Sequence, residues 1–110
     1  MTTKQLTHEE LIKERKLTEI DKFIIRAKQE FTQYIEKEFY VKANEKEGFS
    51  DGLIEGRKYL TSMWFSHIDN SINWALAKLE MERKNKNWGE CEYWQYYISG
   101  LNVCKSIIEG

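Results

Sequence analysis

Residues 90–109 read ECEYWQYYISGLNVCKSIIE, and their spacing predicts an α-helix with two apolar stripes. One stripe consists of Trp94, Tyr97, Ile98, Leu101, Cys104 and Ile108. The second consists of Tyr96, Gly100, Val103 and Ile107, with Tyr93 at its edge. Together the stripes span more of the helix surface than one neighbouring helix covers. The helix must therefore pack against two other helices, or against one helix and a partner molecule.

An earlier helix is predicted where apolar residues recur at alternating spacings of three and four. This stripe consists of Leu17, Ile20, Ile24, Ala27, Phe31 and Tyr34, and it continues to Glu38 and Val41. Thr7 and Glu10 have the spacing of a capping box, which marks a possible earlier helix start. We therefore expect residues 1–16 to form a flexible or helical N-terminal arm. Residues 17–110 are expected to form a single helical-bundle domain.

The connections between the helices are predicted from clusters of glycine, asparagine, aspartate and serine. Residues 44–52, NEKEGFSDG, indicate the first break, and residues 85–90, NKNWGE, indicate the turn before the last helix. A second helix would run from residue 51 to about residue 85, unless it breaks at residues 66–71, where short polar side chains compete for backbone hydrogen bonds. The chain contains no proline, which favours long helices. The predicted fold is all-α: an antiparallel bundle of three long helices, or of four if the second breaks near residues 66–71.

A short internal echo relates residues 49–57 to residues 97–105 at an offset of 48. The letters FSDGL at 49–53 match YISGL at 97–101, and Arg57 matches Lys105. If the echo is structural, its two glycines, Gly52 and Gly100, lie where two helix backbones approach closely.

The composition indicates the cellular compartment of the protein. The 110 residues carry a net charge of −1, with basic and acidic groups balanced along the sequence, so no segment attracts nucleic acid or anionic lipid by charge alone. No apolar run is long enough to span a bilayer, and the first residues, MTTKQLTHEE, do not form a signal peptide. The two cysteines, Cys91 and Cys104, lie too far apart along one helix to bridge each other. These features predict a cytoplasmic protein without membrane contact.

The residues that carry catalytic or metal chemistry are sparse. There are two histidines, neither in a Glu-x-x-His pair, and the cysteines lack metal-binding spacing. No glycine-rich phosphate loop occurs. The sequence therefore predicts no catalytic, cofactor-binding or metal-binding residues, no small-molecule substrate and no enzymatic activity. An enzymatic alternative would require His67 to meet a carboxylate or a cysteine in a concave pocket.

Surplus aromatic residues favour protein binding, because Tyr and Trp are enriched at interface hot spots. The predicted binding residues are Trp88, Tyr93, Tyr96, Val103 and Ile107, and the partner is another protein or a second copy, as in a homodimer. The composition resembles that of proteins from AT-rich bacterial genomes and their phages. It suggests a phage or mobile-element accessory protein with an anti-defence role. Such an inhibitor would occupy a surface of a host protein or immune complex, as anti-CRISPR proteins do.

Nucleic-acid binding is the alternative interpretation. Arg83, Lys84 and Lys86 precede Trp88, which places cations beside a ring that can stack on a base. Acidic residues on both sides of this segment cancel its charge, so protein binding is the preferred hypothesis.

Overall fold

The computed structural model describes residues 5–62 and 67–110, and these residues form four α-helices and no strand. The helices are α1 (His8–Glu36), α2 (Tyr40–Thr61), α3 (Asp69–Lys84) and α4 (Trp88–Glu109). The predicted all-α bundle is confirmed in its four-helix form. Thr7 caps α1 as predicted, because its Oγ1 accepts a hydrogen bond from the Glu10 amide at 3.1 Å.

The predicted break at residues 44–52 was wrong, because α2 runs through it without interruption. The chain turns earlier, at residues 37–39, so Glu38 and Val41 do not continue the stripe of the first helix. Gly48 and Gly52 fall within the predicted break, but both are buried inside α2. Tertiary packing here outweighs the low helix propensity of glycine, which costs about 1 kcal/mol per residue relative to alanine.

The second break lies between Thr61 and Asp69 and overlaps the predicted segment 66–71. Residue 66 falls outside the described residues. Asp69 is the first residue of α3, and Ile68 occupies its cap position.

The turn between α1 and α2 and the turn between α3 and α4 have the same geometry. Glu38 and Lys86 both adopt the left-handed conformation, with φ of 62° and 56°. In the first turn the Phe39 amide donates to the Tyr34 carbonyl at 2.8 Å, and in the second the Asn87 amide donates to the Glu82 carbonyl at 3.0 Å. Each turn is thus a Schellman motif in which a charged residue holds the position that glycine usually fills.

The whole bundle repeats at the offset of 48 residues. Tyr40 and Trp88 begin α2 and α4, and Thr61 and Glu109 end them. Arg57 pairs with Asp21 at 2.7 Å, and Lys105 pairs with Asp69 at 2.8 Å, again at the same offset. The chain therefore consists of two similar helical hairpins, α1–α2 and α3–α4. The helix α1 begins earlier than the repeat requires, at His8, whereas the residue related to Asp69 at the start of α3 is Asp21.

The helices α2 and α4 form the centre of the bundle and run parallel to each other. Near their starts, Asn44 Nδ2 donates to the Gly89 carbonyl at 2.9 Å. Further along, a Cβ atom added to Gly52 would lie 2.0 Å from the Tyr97 oxygen, and one added to Gly100 would lie 2.4 Å from the Phe49 oxygen. The glycines of the sequence echo therefore do mark a close backbone approach, as predicted. The contact is reciprocal, so a local two-fold relationship connects the hairpins.

The outer helices pack on the central pair, α1 against α2 and α3 against α4. Each outer helix is antiparallel to its partner within the hairpin. The buried core contains three pairs of residues related by the repeat, namely Ile20 with Ile68, Ala27 with Ala75, and Leu53 with Leu101. The molecule is elongated, with extents of 58 × 32 × 20 Å. None of the described helices is both long enough and apolar enough to cross a bilayer.

Candidate protein-binding surfaces

The five predicted binding residues do not form one exposed surface. Tyr93, Val103 and Ile107 are half-buried and pack against the core, and Tyr96 is half-buried as well. Trp88 is 64% exposed. The reason is the central position of α4, whose neighbours α2 and α3 cover much of both stripes. Partner binding by these residues stays a prediction, and four of the five would contribute only their exposed edges.

One end of the bundle exposes four large apolar side chains, which we call the turn-end surface. It consists of Phe39, Tyr40, Val41 and Trp88, with exposures of 55%, 63%, 62% and 64%. The parallel arrangement of α2 and α4, fixed near this end by the bond from Asn44 to Gly89, brings the starts of both helices together. Residues 38–42 line a shallow depression there.

Three of these four residues were missed from the sequence. Val41 was predicted to face the core because it continued the spacing of the first helix, but it lies exposed near the start of α2. The sequence feature that could have identified these residues is the repeat at an offset of 48. It relates Tyr40 to Trp88, and the left-handed residue of the first turn to that of the second. Only the short segment 49–57 made that repeat visible in the sequence.

Charges of both signs border the turn-end surface. Exposed side chains beside it include Glu38, Lys42, Lys86 and Glu90. The other basic residues of the nucleic-acid alternative, Arg83 and Lys84, are also exposed, in the last turn of α3. Arg83 pairs with Glu80 at 3.5 Å. The structure thus places all four residues of that alternative near one end of the bundle, within a border of mixed charge.

A second surface, which we call the aromatic face, lies where α3 meets α4. It consists of Trp74, Tyr93, Trp94 and Tyr97. The ring centroids of Trp74 and Trp94 are 5.3 Å apart, those of Tyr93 and Trp94 are 5.1 Å apart, and those of Trp94 and Tyr97 are 5.1 Å apart. The first two pairs are nearly perpendicular, at 86° and 87°, and the third is inclined at 67°, so all three have the favoured edge-to-face geometry. Tyr97 is buried beneath this face, whereas Trp74 is 51% exposed.

Three carboxylates of α2 lie beside the aromatic face, and we call them the acidic row. Glu47, Asp51 and Glu55 occur at intervals of four residues and so share one side of the helix. The Tyr93 hydroxyl donates to Asp51 Oδ2 at 2.5 Å. Burial, and then this bond to Asp51, raises the pKa of Tyr93. Burial, and then the charges of Glu55 and Asp51, raises the pKa of Tyr97 to about 12. Both tyrosine hydroxyls therefore stay protonated beside the carboxylates of the acidic row.

Two carboxyl groups, those of Glu45 on α2 and Glu92 on α4, lie in contact between the central helices. Burial, and then the hydrogen bond and charge of Glu45, raises the pKa of Glu92, and the charge of Lys42 opposes this effect. Because two carboxylates in contact repel each other when both are ionised, this pair links the central helices more favourably at acid pH than at neutral pH.

The residues considered for enzymatic chemistry lie apart from both surfaces. His67 is exposed, and its Nδ1 lies 3.4 Å from Asp69 Oδ2. Asp69 is also held by Lys105, and that hydrogen bond is the main cause of its lowered pKa. Cys104 is buried, its thiol donates to the Leu53 carbonyl at 3.3 Å, and burial raises its pKa to about 12. Within the described ranges, no group of three histidine, cysteine or acidic side chains is placed to hold a metal ion.

Comparison with protein families, curated proteins and solved structures gives no match.

Proposed function

We propose that this protein is a binding module that acts by occupying a surface of another protein through its turn-end surface. One observation carries the proposal. Among the large apolar side chains of the described residues, the three most exposed are Trp88, Tyr40 and Val41, and all three lie at the same end of the bundle. Exposed apolar groups that cluster in this way typically mark interaction sites.

These side chains lie outside the buried core, although the Phe39 ring contacts that of Tyr34, with 6.4 Å between the ring centroids. Phe39 occupies the cap position of α2, where serine, threonine, aspartate or asparagine is preferred, and its side chain makes no capping bond. Tyr40 and Trp88 are the first residues of their helices and leave most of their surface in solvent. Large apolar residues at such positions contribute little to the core, so contact with a partner explains them better than stability does.

The chemistry of the border supports a protein partner. A Tyr and Trp centre with charges of both signs around it is the usual arrangement of a protein interface. A site for nucleic acid would instead need an excess of positive charge, whereas the chain has 17 basic and 18 acidic residues. A partner with an apolar cleft bordered by both charge signs fits this end best. Inhibition of a host protein or immune complex is the extension that size and composition suggest.

The test compares the wild type with Tyr40→Asp and Trp88→Asp in pull-downs from a lysate of the source organism, read by mass spectrometry. Aspartate is compatible with both positions, because a negative charge in the first turn favours a helix. The matched control is Ile25→Asp, since Ile25 is 57% exposed on α1, outside the turn-end surface. We expect the wild type and the control to retain the same partner, and both end variants to lose it by at least tenfold.

Two results would contradict the proposal. In one, the end variants retain the same proteins as the wild type while melting at the same temperature. In the other, light scattering shows that the purified chain associates only with itself and that both end variants abolish this association.

A second candidate function is nucleic-acid binding, which one observation favours. Arg83, Lys84 and Lys86 are exposed and precede Trp88, so cations and a stacking ring are available near the same end. This candidate predicts retention of single-stranded DNA or RNA at about 50 mM salt, with affinity that falls as salt rises. Lack of binding under these conditions would remove it.

A further inference from the structure

We propose that the aromatic face and the acidic row form a second docking surface, which accepts a lysine- or arginine-rich segment of a partner protein. This surface is separate from the turn-end surface and does not depend on it.

The aromatic part supplies the binding contacts. Trp74 leaves about half of its surface in solvent at 51%, and Trp94 and Tyr93 extend the face toward α2. Cations bind over the faces of such rings. The chain itself provides an example, because Lys78 Nζ lies 5.4 Å from the centroid of the Trp74 ring. An ammonium or guanidinium group from a partner would make the same kind of contact.

The acidic row decides the chemistry of the partner. Three carboxylates on one side of a helix repel one another, because like charges four residues apart destabilise a helix. Among the described residues, Glu55 pairs with Lys58 at 3.0 Å, whereas Glu47 has no ion pair. The row therefore keeps negative charge beside the aromatic face, in which Tyr93 and Trp94 are half-buried and Trp74 is exposed. This combination complements a basic segment and repels nucleic acid and anionic lipid.

The repeat allows the acidic row to be compared with the related positions of the second hairpin. The positions related to Glu47, Asp51 and Glu55 are Gln95, Ser99 and Val103, none of which is charged. The fold of the second hairpin therefore forms without an acidic row.

The aromatic residues differ between the hairpins in the same way. The positions related to Trp74, Tyr93 and Trp94 are Arg26, Glu45 and Lys46. The first hairpin thus forms without these three rings, while three buried pairs, such as Leu53 and Leu101, are identical in both hairpins. The hairpin fold therefore does not require the rings or the carboxylates of this face, which leaves their exposed parts available for an interaction.

The probe is a fluorescein-labelled peptide of six arginines, titrated at about 20 mM salt and followed by fluorescence anisotropy. The decisive variant is Glu47→Gln with Glu55→Gln. Its control is Glu14→Gln with Glu19→Gln, which removes the same charge from exposed positions on α1. We expect saturable binding to the wild type, a dissociation constant raised about five- to tenfold by the first pair, and a change of less than twofold for the control.

Further variants separate the contacts. Trp74→Ala should raise the dissociation constant about two- to fivefold. Ile25→Ala, an uncharged change at a position 57% exposed on α1, should leave it unchanged. Because this assay contains no partner for the turn-end surface, its failure is distinguishable from failure of the proposed function. Equal weakening by both glutamine pairs would show that only net charge attracts the peptide, and would overturn the proposal. Absence of saturable binding to a folded wild type would overturn it as well.

Discussion

Replacing Gly52 by alanine tests the central contact of the fold. The added Cβ would lie 2.0 Å from the oxygen and 2.9 Å from the carbonyl carbon of Tyr97. Ordinary Cβ contacts begin at about 3.4 Å, and both of these neighbours are backbone atoms that cannot rotate away. Because real Cβ atoms essentially never lie closer than 3.0 Å to another atom, the helices α2 and α4 would have to separate by about an ångström.

The cost follows from the side chains buried along this contact, chiefly Leu53, Tyr97, Leu101 and Cys104. Burial of each contributes roughly 2 kcal/mol. A gap of 0.5–1 Å removes about a quarter to a half of the van der Waals attraction, so the loss is roughly 2–4 kcal/mol. Alanine recovers about 1 kcal/mol through its higher helix propensity. We therefore expect a net loss of about 1–3 kcal/mol, a substantial part of the roughly 5–15 kcal/mol typical of a domain of this size.

The assay is urea unfolding followed by tryptophan fluorescence and circular dichroism. Gly89→Ala is the matched control, because Gly89 also lies in a helix but an added Cβ would meet nothing within 4 Å. That control should be stabilised by about 0.5–1 kcal/mol. Gly52→Ala combined with Gly100→Ala should cost less than the sum of the two, since the first separation relieves the second clash. If Gly52→Ala is as stable as the wild type while Gly89→Ala gains, the inferred close approach of α2 and α4 is wrong.

Three further predictions concern the turns, the carboxyl pair and the buried thiol. Glu38→Gly and Lys86→Gly should each stabilise the protein by about 0.5–1 kcal/mol in urea unfolding, because both positions have left-handed φ; Lys37→Gly, at φ −89°, should not. Because the pKa of Glu92 is raised above 4.5 in the folded state, its stabilising effect is complete at lower pH and is lost as pH rises through the folded pKa. Glu92→Gln should therefore gain up to about 0.5 kcal/mol at pH 7 and little at pH 4, and equal effects at both pH values would contradict the assignment. Since burial raises the pKa of Cys104 to about 12, iodoacetamide at pH 8 should modify this thiol only after unfolding, as measured by intact mass; rapid labelling of the folded protein would show that α2 and α4 open readily.

Helical periodicity predicted some parts of this protein well. The last helix was expected at residues 90–109 and is found at Trp88–Glu109, because the spacing of its apolar residues is unambiguous. The turn before it was also expected. The first turn was misplaced because the spacing of three and four continued by chance through Glu38 and Val41, while buried glycines downstream resembled a loop.

The repeat shows why the sequence revealed only part of the architecture. The two hairpins share the same type of turn, one ion pair and several buried positions, yet many equivalent residues differ in type. Gly56 corresponds to Cys104, and Ala43 corresponds to Cys91, so the core preserves small size rather than identity. Only the segment around Gly52 and Gly100 kept enough identical letters to be noticed.

The sequence alone determined that the chain is helical, because apolar spacing and the absence of proline act locally along each segment. It also identified Trp88 as a candidate contact. The tertiary structure decided that α2 and α4 run parallel, that both turns meet at one end, and that aromatic rings lie beside the acidic row. Those features depend on how closely two backbones approach across residues far apart in the chain, and no local pattern encodes that distance.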